Sequence, residues 1–280
     1  MVLGLVGVVI FGATLPITKL ALADFSPAFV TTGRAVLAGL AALALLVVLK
    51  RSVPWPVLPS IALAALMLVF GFPGLMAVAM QTVPAAHGGV ILGVLPLATA
   101  GFAALLAGER PSAAFWGWSA TGAALVAAFA LREAGLLVAA GDFWLLASGL
   151  CAALGYVIFG KLARRMPGWE VISWALVITL PLSLIGALLS WESGFAAATP
   201  RSIGALLYAA FFSMFLGFFA WNTGLAVGGI ARVSQVQLLQ SFVTLAVAAT
   251  LLGESISLST FFFAAAVAGV VWMGRRSRIG

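Results

Sequence analysis

Charge is scarce in this chain. Only 8% of its 280 residues are Asp, Glu, Lys or Arg, where a soluble domain carries about 25%. Water cannot hold a folded surface with so few charges, so an ordinary soluble enzyme is excluded. Cys151 is the single cysteine, which excludes an intrachain disulfide and a cysteine metal cluster. His87 is the single histidine. A His-Glu-x-x-His metalloprotease site is therefore missing, as are a Walker A loop, a dinucleotide fingerprint and a haem attachment motif. No cofactor, metal or catalytic residue is expected. An intramembrane enzyme is the rival class, but a serine hydrolase needs a nucleophile and base in bonding reach, and no Gly-x-Ser-x-Gly element accompanies the histidine. A purely structural or receptor role would need an extended external loop, and the loops are short. The net charge of +7 can point to nucleic acid. Here the charges sit singly or in pairs between apolar runs, which fits membrane topology instead.

Apolar residues are abundant, 64% of the chain. A spanning helix needs about 20 of them, so ten such helices take about 200 residues and leave about 80 for connections. The expected spans are 2–22, 26–49, 56–80, 85–107, 112–131, 142–163, 169–190, 201–225, 230–252 and 257–274. Turn or charge signals break each junction, Asp24–Pro27 and Arg164–Gly168 among them. Lipid offers no partner to backbone polar groups, so the spans must be helical. An outer-membrane barrel would show alternating segments of about 10 residues. The fold class expected is an all-α membrane protein. Ala21-Leu22-Ala23 has the form of a signal-peptidase site. Without a basic n-region, and with Pro16 and Lys19 interrupting the run, 2–22 is expected to remain the first span.

With the amino terminus in the cytoplasm, Lys50, Arg51, Arg110, Lys161, Arg164, Arg165, Arg232, Arg275, Arg276 and Arg278 fall at cytoplasmic ends. Lys19, Arg34, Arg132 and Arg201 fall outside. Ten against four sets the orientation, and ten spans return the carboxyl terminus to the cytoplasm. Two stretches read Gly-Glu-x-x-Ser: Gly108-Glu109-Arg110-Pro111-Ser112 and Gly253-Glu254-Ser255-Ile256-Ser257. Each precedes a final apolar helix, and Lys19 has a counterpart in Lys161. These offsets of 145 and 142 residues indicate an internal repeat, divided as 1–135 and 136–280. Five spans per half force opposite insertion, giving two inverted five-helix repeats. Transporters with inverted repeats place the substrate near the bilayer midplane between the halves.

Three motifs carry a family resemblance. Thr32-Gly33-Arg34-Ala35-Val36-Leu37-Ala38 resembles the Arg-containing start of the second helix in EamA-type members of the drug/metabolite transporter superfamily. Pro96 followed by Leu106-Ala107-Gly108-Glu109-Arg110-Pro111-Ser112 is similar to that family's Pro-then-Gly-Glu pattern, and Leu251-Leu252-Gly253-Glu254 matches in the second half. The branch most resembled is the YddG-like aromatic amino acid exporters. Ser241, where the second half usually has Pro, and His87 depart from the pattern. The resemblance implies a ten-helix solute carrier.

Intramembrane polar groups are costly unless they face a cavity or a protein partner. In span nine, Ser234, Gln237, Gln240, Ser241 and Thr244 share an arc of about 120° at about 100° per residue. Ser241 lies roughly 15 Å deep at about 1.5 Å per residue. This arc is expected to line a central cavity, although it also suits a seam bonding neighbouring helices. Thr14 and Thr18 flank Pro16, which frees the Gly12 carbonyl for a ligand, or else marks a kink. His87 can hold a carboxylate or a proton, or else is an interfacial, hydrogen-bonded histidine. Met80, Gln81, Tyr156, Trp221 and Asn222 complete the candidate substrate site. Lys19 and Arg34 are expected to snorkel toward the outer face, with a bond to a neighbouring helix end or to a substrate carboxylate as Arg34's alternatives. Glu109 and Glu254 are expected to stabilise the helix starting beside them. No carboxylate lies deep in a span, which disfavours proton coupling and cationic substrates. Phosphorylated solutes would need more cavity cations. The function expected is export of amino acids and related small metabolites by alternating access, from the bacterial inner membrane. Export of drugs or cationic toxic compounds is the alternative. The partners are a zwitterionic small molecule and the lipid bilayer; the sequence sets no oligomeric state and is compatible with a monomer. Spans five and ten are expected to be peripheral.

Overall fold

The computed structural model describes residues 1–134, 140–253, 258–274 and 276. No strand occurs among the described residues. Seven helical segments are long and apolar enough to cross a membrane: α1 (Val2–Ala21), α2 (Pro27–Val48), α3 (Trp55–Ala79), α6 (Ala140–Leu162), α7 (Gly168–Leu189), α8 (Pro200–Gly228) and α9 (Ile230–Leu252). Between them, α4 covers 85–106 and α5 covers Ala113–Ala134, and α10 (Leu258–Gly274) follows. This is a multi-pass membrane protein. Large apolar side chains face outward, such as Leu105, Leu189 and Val227. An apolar exterior of this extent belongs against lipid.

Local signals set the helix ends. Ser26 accepts from the Phe29 N–H and is followed by Pro27, which caps α2. Thr199 does the same for α8, ahead of Pro200. Gly108 and Gly253 adopt φ of +68° and +74°. That left-handed backbone stops the preceding helix, and it is why each Gly-Glu motif begins with glycine.

The chain packs reciprocally. Helix α1 lies against α8 and α9, while α6 lies against α3 and α4. Helices α2 and α7 pair along their lengths, α4 meets α9, and α5 packs on α10. Small residues bring α1 and α8 close. A Cβ at Gly224 would stand 3.1 Å from the Gly4 nitrogen, and one at Gly7 would stand 3.0 Å from the Trp221 ring.

Several helices deviate from α geometry at matched places. Helix α3 widens to a π stretch at Leu66–Gly71 and α8 does so at Ala209–Leu216. Helix α4 tightens to a 3-10 stretch at Leu92–Val94, as α9 does at Gln235–Leu239. From Leu66 to Ala209 and from Leu92 to Gln235 the distance along the chain is 143 residues in both cases. The α4 stretch ends two residues before Pro96, and the α9 stretch ends two residues before Ser241. The distortion thus persists where no proline compels it.

Candidate functional site

Helix α1 is interrupted at Ala13, between Gly12 and Thr14. Pro16 has no N–H to offer the Gly12 carbonyl. Thr244 Oγ1 of α9 donates to that carbonyl at 2.8 Å, supplying the hydrogen bond the proline withholds. Beside it, the Phe11 ring faces α6 and α8. Phe11, Tyr156, Phe218 and Trp221 form one aromatic cluster, with Phe11–Phe218 centroids 5.1 Å apart and Tyr156–Trp221 centroids 5.3 Å apart. Thr14, on the other side of the break, shares a 2.8 Å hydrogen bond with Ser213 in the π stretch of α8. Ser213 also accepts from Arg34 Nη2 of α2 at 3.2 Å. Residues Phe11 to Thr14 therefore meet α6, α8 and α9 directly, and α2 through Ser213.

Arg34 does not snorkel. It is 3% exposed and lies within electrostatic reach of Tyr156. Its Nε and Nη1 have no hydrogen-bond partner. A cation in the middle of a membrane costs about 3 kcal/mol on insertion scales, so a buried, incompletely paired arginine marks a polar interior. Its position seven residues into the helix was visible in the sequence. Ser213 gave no such signal, because it is one hydroxyl in a Phe-rich stretch.

The polar arc of α9 divides by chemistry. Its hydroxyls stitch helices together. Ser241 Oγ donates to the Gly89 carbonyl at 2.5 Å and Thr244 to Gly12, while Ser234 is bonded within its own helix to Ala231 at 2.8 Å and reaches the Pro96 carbonyl of α4 at 3.4 Å. Each of these three hydroxyl protons is committed to a carbonyl, which leaves only the oxygen lone pairs to accept. The amides differ. Gln237 is buried with both amide atoms unpartnered, and Gln240 Oε1 is likewise unpartnered. Outside the arc, Gln235 donates to Ser119 of α5 at 2.7 Å.

The remaining candidates scatter. Thr18 is buried with its hydroxyl unpartnered. Met80 is buried in the cluster that holds Leu15 and Leu145. Asn222 donates to the Gly168 carbonyl at the start of α7, at 3.0 Å, away from the α1 break. Gln81 is exposed beyond the end of α3. The backbone of His87 belongs to α4, and its side chain lies outside the described residues, as does Glu254. Lys19 donates to the Val83 carbonyl at 3.1 Å.

Glu109 stabilises a helix terminus, but not of the helix that follows it. Its oxygens accept from the Ile230 and Ala231 N–H groups of α9, both at 2.8 Å, and it pairs with Arg164 at 2.5 Å. At the opposite end of α1, Asp24 accepts from the Thr199 N–H at 2.8 Å and its hydroxyl at 2.6 Å. The hydroxyl and amide of Thr199 hold the Asp24 carboxyl below its ordinary value. Arg51, in the α2–α3 connection, pairs with Glu170, and that hydrogen bond raises its pKa.

A cavity of about 660 Å³ opens between the ends of α3, α4 and α6, with Lys161, Arg164 and Arg165 among its lining residues. The α9 amides do not line it.

Comparison with known proteins agrees with this architecture. The model of the EamA-like transporter family matches residues 1–132 and again 139–275. A Bacillus subtilis (strain 168) protein called uncharacterized transporter YdeK is 45% identical over 254 residues, 90% of this chain and 88% of its own. A crystal structure of an 18% identical protein covers 99% of this chain and 99% of its own at a TM-score of 0.79. That last likeness concerns the fold alone.

Proposed function

Because the chain belongs to the EamA-like transporter family, we propose that it exports amino acids and related zwitterionic metabolites by alternating access. The carrier has ten membrane-spanning helices in two inverted repeats, 1–135 and 136–280, in the bacterial inner (cytoplasmic) membrane with both termini inside. It performs no catalysis. The two separate family matches and the paired distortions 143 residues apart support the repeat.

One observation carries the substrate class. Arg34 is buried, bonded to a serine hydroxyl, and leaves two guanidinium nitrogens unpartnered. A guanidinium with open donors binds a carboxylate in two-pronged fashion. The neighbouring rings of Tyr156, Trp221 and Phe11 offer faces to an ammonium or an aromatic side chain. Gln237 and Gln240 supply neutral donors and acceptors. The aromatic cluster also favours the aromatic amino acid exporter branch. A buried Arg34 repels cationic drugs, which makes that alternative the weaker one. The π stretch bearing Ser213 lets α8 rearrange between states without a proline.

Proteoliposome flux tests the reading. Labelled amino acids should cross without need of a proton gradient, because no acidic residue falls mid-span in this sequence. Arg34→Gln should weaken apparent affinity roughly ten- to hundredfold, the worth of a charged hydrogen bond. Lipophilic-cation flux with no amino-acid flux, or transport that requires a proton gradient, would overturn it.

A further inference from the structure

The interior does not explain the cavity between α3, α4 and α6. Its floor is apolar: Leu63, Leu106, Leu154 and Ile158. Its rim is cationic: Lys161, Arg164 and Arg165. The lining residues occupy the first turns of α3, the last turns of α4 and the last turns of α6, so the cavity lies at one membrane–water boundary. Leu63 and Leu106 are 47% and 44% exposed, so the floor is open rather than enclosed. No acidic side chain lines the cavity.

The three cations are not equally engaged. Arg164 is held by Glu109, and Lys161 donates to the Leu106 carbonyl at 2.5 Å. Arg165 is exposed and has no side-chain partner among the described residues. Lys161 can offer two further protons, since an ammonium has three. An apolar trough beneath a cluster of free donors fits an amphiphile with an anionic head and a hydrocarbon tail.

We propose that this cavity is a binding site for an anionic phospholipid, with the phosphate on Arg165 and Lys161 and one acyl chain along Leu63, Leu154 and Ile158. Basic pockets between spanning helices hold such head groups through charge plus hydrogen bonding. The site touches the ends of both halves: α3 and α4 supply one wall and α6 the other. It also borders Arg164, which pairs with the Glu109 carboxylate that caps α9. A lipid seated there braces the inner end of the carrier, and the site stands whether or not the transported solute is an amino acid.

Native mass spectrometry of the purified full chain tests it, after incubation with phosphatidylglycerol, phosphatidylcholine or inorganic phosphate alone. Phosphatidylglycerol should be retained, phosphatidylcholine and phosphate should not. The double variant Lys161→Gln with Arg165→Gln should lower retention at least about tenfold, since each surface cation contributes about fivefold. Ile158→Trp, which fills the trough and leaves all cations, should also lower retention. Both variants must first elute as monodisperse protein. Equal retention of phosphatidylcholine would overturn the head-group assignment. Retention unchanged by the double variant would overturn the cation site. Retention unchanged by Ile158→Trp, or capture of phosphate alone, would overturn the lipid assignment in favour of a bare anion site.

Discussion

Thr244 of α9 donates its hydroxyl to the Gly12 carbonyl of α1, the acceptor that Pro16 strands. The break in α1 is thereby stabilised by a helix from the other end of the chain. Thr244→Val should leave that carbonyl buried and unsatisfied, at a cost of about 1–3 kcal/mol, while Thr244→Ser should cost far less. Pro16→Ala restores an N–H one turn after Gly12 and should shrink the Thr244→Val penalty. Thermal unfolding in detergent of wild type, the three single variants and the Pro16→Ala/Thr244→Val double variant measures this. Equal penalties with and without Pro16 would refute the pairing.

Gln237 separates a structural role from a functional one. A buried amide with no protein partner destabilises the fold. Gln237→Leu should therefore hold or raise the melting temperature. Transport should nevertheless weaken, because the amide faces the interior in which the solute is proposed to bind. A variant that melts earlier would mean that the amide is bonded within the fold.

Glu109 holds α9 by two contacts, both to backbone N–H groups at the positive end of that helix, and pairs separately with Arg164. Glu109→Gln should cost about 2 kcal/mol, the scale of hydrogen bonds to a charged group. Arg164 is 40% exposed, so Arg164→Gln should cost less than about 1 kcal/mol. Denaturant titration ranks them. A larger loss from Arg164→Gln would make the ion pair, rather than the helix cap, the dominant contact.

Asp24 gives the stability a pH dependence of known sign. The Thr199 hydrogen bonds depress its folded pKa below the ordinary value of 3.8. Its contribution is fully present above that value and disappears as pH falls through the lower, folded one. Asp24→Asn and Thr199→Val should therefore flatten the loss of stability below pH 3.8 and change its shape little near neutrality. Melting temperatures across an acid series, for wild type and both variants, provide the comparison.

Helix positions were largely legible from apolar run length. Trp55–Ala79, Ala140–Leu162 and Gly168–Leu189 lie within two residues of the expected spans at either end. Such runs need no partner to be read, because lipid penalises every open backbone group in them. The site was legible only in outline. Helical spacing gathered Ser234, Gln237, Gln240, Ser241 and Thr244 on one side, yet spacing cannot say which hydroxyl finds a carbonyl. Arg34 was misread as snorkelling because depth along one helix does not reveal that Ser213 waits across from it.

Composition alone made this a membrane protein of helices, with Gly-Glu turns and prolines marking where they stop or bend. That follows from each segment's own transfer from water to lipid, a property of local sequence. Which polar atoms are satisfied and which stay open depended on folding. Gly12 and Thr244 are 232 residues apart, and Thr14 and Ser213 are 199 apart. Hydrogen bonding acts over about 3 Å, so only the packing of α1, α2, α8 and α9 could pair those groups and leave Arg34 and Gln237 with open positions.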